Sequence, residues 1–304
     1  SNLFQLQAEL ESQRYQPGEY HSFYIRDPKR RLISAAPFGD RVVHHALCNL
    51  IEPIFERTFI GTSYANRKGK GTHKALDKAQ ACAKHYPYVL QCDIRQYFPS
   101  IDHAALQQVL RRKIGDPQVL WLCDQVMAGG ADVLKDEYQM VYFPGDDLFA
   151  ADRPRGLPIG NLTSQFWGNV FLNELDQFIK RELHVSAYLR YVDDFLLFSD
   201  NKRQLWSWKD AVREKLHSLR LRLHERSSTV YPVSNGIPFL GFRLYPERRK
   251  LKRFNGVAFQ RRLKRLQNQY WRGEISLERC DSSVQGWVAH AQHGDTWGLR
   301  RSLL

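Results

Sequence analysis

The chain has 304 residues, 43% of them hydrophobic and 25% charged, which provides for a substantial core and argues against wholesale disorder. Lysine and arginine outnumber acidic residues 45 to 32, and the net charge of +13 attracts polyanions, nucleic acid ahead of an anionic membrane surface. No apolar run is long enough to span a bilayer, no signal peptide is visible, and five cysteines without a CxxC pair (Cys48, Cys82, Cys92, Cys123 and Cys280) speak against a disulfide framework or a zinc site and fit a reducing cytoplasm.

The chain opens on Ser1-Asn2 rather than Met, which leaves room for residues upstream or a trimmed start. Leu3 to Leu10 reads as a helix, Glu19 to Arg26 as a strand, Asp27-Pro28 as a turn and Arg31 to Ser34 as a returning strand. Asp40 begins a helix with Val43, Leu47, Leu50 and Ile51 at three- and four-residue steps. A loop rich in Gly and Lys follows, Asn66 to Thr72; it suits an anion but lacks the P-loop spacing. Tyr88 to Ile94 reads as a buried strand carrying Asp93, and Ser100 is placed to cap a helix from Ile101 toward Lys113. Gly129 to Arg155 has no clear period and reads as an inserted loop with room for a hairpin. Thr163 to Leu183 is a long helix, and Tyr188 to Phe198 is two short strands with Asp193-Asp194 at the turn. Lys202 to Leu219 is helical, Val230 to Tyr245 extended with a break at Asn235-Gly236, and the last sixty residues are helical and basic. His290 and His293 can share a helical face, but two histidines alone are a weak case for a metal.

An Asp pair in a turn is common for conformational reasons alone. Tyr191-Val192-Asp193-Asp194-Phe195 is less ordinary, because its flanks are apolar and β-forming. Like charges at the tip of a largely buried hairpin repel, and a hard divalent cation preferring carboxylate oxygen answers that repulsion. If the strand ending at Asp93 lies in the same sheet, a third carboxylate completes a two-metal site.

The ordered set of motifs resembles the reverse transcriptases over nearly the whole chain. Tyr-x-Asp-Asp on a hairpin, preceded by Asp93-Ile94-Arg95-Gln96-Tyr97-Phe98, resembles their palm. Arg31 with Asp40-Arg41 resembles the fingers motifs, Gly156-Leu157-Pro158-Ile159-Gly160 the segment around the templating pair, and Phe239-Leu240-Gly241 the primer grip. The resemblance implies an α+β right hand: fingers at 1–85, a ferredoxin-like antiparallel palm at 86–108 and 155–247, a helix and inserted loop at 109–154, and a basic helical thumb at 248–304. It implies an RNA-directed DNA polymerase in which Asp93, Asp193 and Asp194, with the backbone of Ile94, hold two Mg²⁺, with Mn²⁺ as a substitute. Lys29, Arg31, Arg95, Gln96, Tyr97, Phe98, Ile159, Gly160 and Gln165 are then expected at the deoxynucleoside triphosphate. Phe98 is to sit under the sugar and reject a 2′-OH; simple core packing is its plainer explanation. Tyr191, Val192, Phe239, Leu240, Gly241, Arg261, Arg262, Lys264 and Arg265 are expected at primer and template. Basic residues interleaved with aromatics from Arg243 to Arg265 support the last group, since phosphate contacts give sequence-independent affinity.

Ile159-Gly160-Asn161-Leu162-Thr163-Ser164-Gln165 and His45-Ala46-Leu47-Cys48-Asn49 are similar to the enzymes of diversity-generating retroelements. That subgroup implies a cytoplasmic enzyme of bacterial, archaeal or phage origin. It implies a template-repeat RNA, a DNA or RNA primer, misincorporation opposite template adenine, and a small basic accessory protein as partner. The alternatives are an enzyme of group II intron, retron or phage-defence type, or an RNA-binding scaffold with an inactive palm.

Overall fold

In a computed structural model, residues 3–26 and 30–303 are described; the expected turn at Asp27-Pro28 and the candidate Lys29 lie outside them. Helix α1 (Leu3–Glu11) leads to two antiparallel strands, β1 (His21–Arg26) and β2 (Arg30–Ala35), paired from His21↔Ala35 to Arg26↔Arg30. Helices α2 (Phe38–Glu56) and α3 (Thr72–His85) follow, then β3 (Tyr88–Asp93). Three helices come next: the single turn α4 (Tyr97–Ser100), α5 (His103–Arg111) and α6 (Pro117–Gly129). Helix α7 (Leu162–Gln177) runs on into a π-helical turn, Phe178–Glu182, and leads to β4 (Tyr188–Tyr191) and β5 (Asp194–Ser199). Then come α8 (Lys202–Ser218), β6 (Thr229–Pro232), β7 (Ile237–Phe239), β8 (Phe242–Leu244) and β9 (Arg249–Leu251). The chain closes on α9 (Arg253–Trp271), α10 (Leu277–Ala291) and α11 (Trp297–Leu303). Among the described residues, no helix is long and apolar enough to cross a membrane.

The main sheet has the order β4-β5-β3-β6 with every pair antiparallel, the split βαβ arrangement of ferredoxin-like folds. Its strands are apolar on both sides because both faces are covered. Leu90 and Cys92 of β3, with Phe195 and Leu197 of β5, join the larger core beneath α2 and α5 to α8, where Trp167 and Phe171 are fully buried. Val89, Leu196 and Phe198 face the other way, toward Ala75, Leu76 and Ala79 of α3 and toward Ile237, Phe239 and Phe242. Side chains alternate along a strand, so Gln91, Asp93 and Asp194 share this second face. The fold is thus the α+β right hand, with the β7-β8-β9 sheet and the terminal helices following the palm.

Three local expectations need correction. Asp102, not Ser100, caps the helix after β3: its carboxylate accepts the Ala105 N–H at 2.9 Å, and Ser100 instead ends α4 with its hydroxyl donating to the Gln96 carbonyl at 2.7 Å. The stretch from 129 to 155 holds no hairpin among its described residues; it is two 3₁₀ turns, Lys135–Glu137 and Leu148–Asp152, pinned by ion pairs of Arg153 with Asp102 and Arg220 with Asp146. The extended run from Val230 to Tyr245 divides between two sheets, because Gly236 at φ 79° turns the chain between β6 and β7.

Candidate active site

The β3 and β5 ladder ends with Asp93 directly opposite Asp194. Opposed residues of an antiparallel pair project from the same face, so two carboxylates 101 positions apart in sequence stand side by side. Beyond them, Tyr191 pairs with Asp194, and Val192 and Asp193 form the two-residue turn of the hairpin. Asp194 is therefore a strand residue, and only Asp193 sits in the turn.

Val192 has φ 56°, a left-handed conformation that a β-branched residue adopts at a cost of about 1–3 kcal/mol. A buried polar network holds it there. Arg190, wholly buried on the helix-backed face, donates to the Val192 carbonyl at 2.9 Å, to Asn169 at 3.1 Å and to both carboxylate oxygens of Asp176 at 2.8 and 2.6 Å. The Tyr188 hydroxyl donates to the same carboxylate at 2.6 Å. The turn is thus bolted to α7.

Asp93 is fixed from the other side. Its N–H donates to the Ser228 hydroxyl at 3.3 Å, and its carbonyl accepts the His224 N–H at 2.7 Å. With the Arg95 N–H donating to the Arg222 carbonyl at 2.8 Å, these bonds form an antiparallel bridge between Ile94 and Leu223. In such a bridge the facing residues use their neighbours' groups, which leaves the Ile94 carbonyl turned toward the β5 side. The Ile94 side chain itself is buried in the core.

The acidic side chains sense one another. Burial pushes the half-buried Asp194 carboxyl up to about 7; Asp193 and Asp93 add to the rise, while a bond from Gln91 and the Lys252 charge oppose it. Gln91 donates to Asp194 at 3.4 Å and to the Pro238 carbonyl at 3.1 Å, and accepts the Tyr231 hydroxyl at 2.7 Å. Among the described residues, no three His, Cys, Asp or Glu side chains are drawn together as a ready-made metal shell. The donor set of all-oxygen carboxylates around one strand end nevertheless suits hard divalent cations.

The other candidates separate into groups. Tyr97 is buried, donates to the Gly168 carbonyl and belongs to the core. Phe98 is half-buried, its ring 5.2 Å from that of Tyr97 and against Gly168, where an added Cβ would come within 3.2 Å of the Phe98 ring. Gln96, at φ 48°, turns its amide into the insertion, donating to the Glu137 carbonyl at 2.6 Å and accepting from the Gln139 N–H; Arg95 also bonds Gln139. These two side chains are engaged away from the carboxylates. Arg31 is exposed on β2. The base of that hairpin is laced to the 159–161 segment: the Ser34 N–H donates to the Ile159 carbonyl at 2.8 Å, and Asn161 bonds Ser34 and Ala36. Gly160, at φ 123°, passes so close that a Cβ would meet Ile33 at 3.1 Å. Gln165 is exposed on the first turn of α7.

The Tyr191 hydroxyl is bonded to Thr72 at 3.0 Å, at the start of α3. Leu240 and Gly241, at φ 43° and 87°, form the tight turn between β7 and β8, while Phe239 is fully buried. The Gly241 carbonyl accepts from the Lys252 N–H at 3.0 Å and from Asn255 at 3.1 Å, joining this turn to α9. Arg261, Arg262 and Arg265 line a groove of about 1070 Å³ with Phe254 and Trp287; Lys264 is exposed but outside it. Gln91, Asp176, Arg190 and Ser228 were missed from sequence. A signal existed for two of them: Gln91 and Arg190 are lone polar residues within apolar strand runs.

The reverse transcriptase (RNA-dependent DNA polymerase) family matches residues 25–244, and the chain belongs to that family. It is an RNA-directed DNA polymerase by class. The chain is similar to protein YkfC of Escherichia coli, at 28% identity over 285 residues covering 80% of this chain and 71% of that protein. It is also similar to the group II intron-encoded protein LtrA of Lactococcus lactis, at 22% identity over 75% of this chain and 47% of LtrA. It therefore spans about half the length of LtrA. Among solved structures, apo telomerase from Candida tropicalis superposes with a TM-score of 0.54 at 12% identity, over 78% of this chain and 49% of that one, a likeness of fold.

Proposed function

We propose that the chain copies an RNA template into DNA, extending a primer 3′-end with deoxynucleotides at Asp93, Asp193 and Asp194. The observation that carries this reading is the cross-strand register of Asp93 with Asp194, one residue from the Asp193 turn. The three carboxylates and the Ile94 carbonyl would hold two Mg²⁺, with Mn²⁺ as a substitute. When bound, such ions activate an attacking hydroxyl and stabilise the leaving oxygen. The chain's own groups position the reactants, which is most of the catalysis in phosphoryl transfer. Arg190 and Ser228 fix the carboxylates' backbones. Arg31 reaches triphosphate oxygens from the β2 edge, with Lys29 beside it in sequence, and the backbone from Arg95 to Phe98 lies along the triphosphate. Phe98 excludes a 2′-OH, and the Leu240-Gly241 turn and the arginine groove of α9 hold the primer–template duplex. The residue divisions into fingers, palm, insertion and thumb belong to the same proposal.

The finer assignment is the error-prone enzyme of a diversity-generating retroelement, supported by the run from Ile159 to Gln165 and carrying with it the small basic accessory partner. The similarity to LtrA favours a second reading, an enzyme of group II intron type. One experiment tests the function and divides the readings: incubate the protein with a defined RNA, a primer, deoxynucleotides and Mg²⁺, then sequence the cDNA. Synthesis with errors concentrated at template adenines supports the retroelement enzyme; synthesis with evenly spread errors supports the intron type; no synthesis at all defeats both.

A further inference from the structure

A second concentration of positive charge lies outside the carboxylate site. The segment that braces Asp93, residues 222–226, walls a cavity of about 610 Å³ together with Arg95 and the last turns of α8. Four guanidinium groups line it: Arg213 is paired with Asp210 and Glu225, whereas Arg95, Arg222 and Arg226 have no ion-pair partner among the described residues, Arg95 being hydrogen-bonded to Gln139. Glu225 is the one carboxylate in the lining, and it is already taken by Lys209 at 2.9 Å and Arg213 at 2.8 Å. Burial and the facing Arg95 charge hold Arg222 below its ordinary range. The buried Nδ1 of His224 in the same wall has no hydrogen-bond partner. Like charges gathered in a concave site without a counter-charge are destabilising unless an anion joins them. Planar guanidinium forks match phosphate oxygens in particular.

We propose that this cavity, which Arg95 also lines, binds a phosphoryl group held by Arg222 and Arg226. Its partner is a phosphate of single-stranded RNA or a free polyphosphate, two sources of one chemistry. The site goes beyond the polymerase reading and does not rest on it, because binding is measurable without divalent metal, primer or nucleotide.

The test compares wild type with an Arg222→Gln/Arg226→Gln variant, using the whole chain in EDTA. Inorganic pyrophosphate is titrated by calorimetry, and a single-stranded RNA oligomer is bound over a range of salt concentrations. A free-polyphosphate site predicts pyrophosphate binding that is at least about tenfold weaker in the variant, with RNA binding unchanged. An RNA-backbone site predicts uniform weakening across RNA sequences and a log–log salt slope shallower by about 1.4, for two lost phosphate contacts. Equal pyrophosphate affinity and equal salt slopes in the two proteins overturn the proposal. If the double variant melts abnormally, Arg226→Gln alone, at an exposed side chain, is read the same way. Half the slope change, or a few-fold weaker pyrophosphate binding, then supports the site, and no change refutes it.

Discussion

Asp176 and Arg190 offer the sharpest test of how the Val192-Asp193 turn is held. Both side chains are fully inaccessible and form a two-pronged ion pair. Asp176→Ala strands a guanidinium in the core and removes the acceptor of the Tyr188 hydroxyl, so a loss of roughly 3–5 kcal/mol is expected. For a chain of this size that is a fall of roughly 6–15 °C in melting temperature. A triple variant, Asp176→Leu with Arg190→Met and Tyr188→Phe, leaves no unpaired charge, only the Asn169 side-chain oxygen and the Val192 carbonyl without the Arg190 donor, and should recover much of that stability, because apolar replacements of buried ion pairs are often neutral or better. Activity should not recover with it. The Val192 carbonyl has lost the donor that holds its strained conformation, and displacing catalytic groups by about 1 Å costs on the order of 100-fold. Melting curves and RNA-templated primer extension read the two effects separately. A triple variant that is both stable and fully active refutes the claim that Arg190 holds the turn. An Asp176→Ala protein that melts like wild type refutes the energetic argument beneath it.

The carboxylate cluster predicts a pH effect with a definite sign. The folded Asp194 value, about 7, exceeds its ordinary 3.8, so the native state binds the extra proton between those values. In EDTA, the Asp194 contribution to stability is fully present below about pH 4 and is lost as pH rises to 7, a decline of up to about 4 kcal/mol, and of about 2 once solvent screening of a half-buried group is allowed for. Asp194→Asn should remove this decline, and melting curves that shift in parallel for both proteins contradict it. Phe98→Ala should raise ribonucleotide incorporation relative to deoxynucleotide; an unchanged ratio reduces Phe98 to a packing residue beside Tyr97. Neutralising Arg261, Arg262 and Arg265 together should flatten the salt dependence of duplex binding by about 2–3 in the log–log slope, measured by filter binding, and an unchanged slope removes α9 from the interface. Ile159→Gln should alter the misincorporation spectrum, because a polar contact discriminates pairing geometry better than an apolar one. Identical error spectra from sequenced cDNA reject that role.

Much of the palm was legible because its signals are local. The apolar run of β3 and the β-forming flanks of the Asp193-Asp194 hairpin each announce themselves, and β3 and β5 carry apolar residues on both faces because both faces are largely buried. Helix α3 was missed: its inner face is Ala75, Leu76, Ala79, Cys82 and Ala83, small side chains that give little periodic contrast among lysines. Helix α6 was hidden because its apolar residues run around the cylinder rather than along one stripe. Ser100 and Asp102 are both good capping types two positions apart, and the ion pair with Arg153 is a long-range feature that selects Asp102. The Asp176–Arg190 pair, and the turning of Arg95 and Gln96 into the insertion, depend on segments that meet only in the folded chain. Sequence order suggested which carboxylates share a sheet; the network that orients them could not be read that way.

Carboxylates from two distant chain segments are proposed to act as one metal-dependent polymerase site. The most direct test of that proposal is extension of a labelled primer on an RNA template with Mg²⁺, comparing wild type with an Asp193→Ala/Asp194→Ala variant of matched thermal stability. Wild type should give extended product and the variant at least about a thousandfold less, as expected for losing several kcal/mol of charge stabilisation. Equal extension by the two proteins would contradict it.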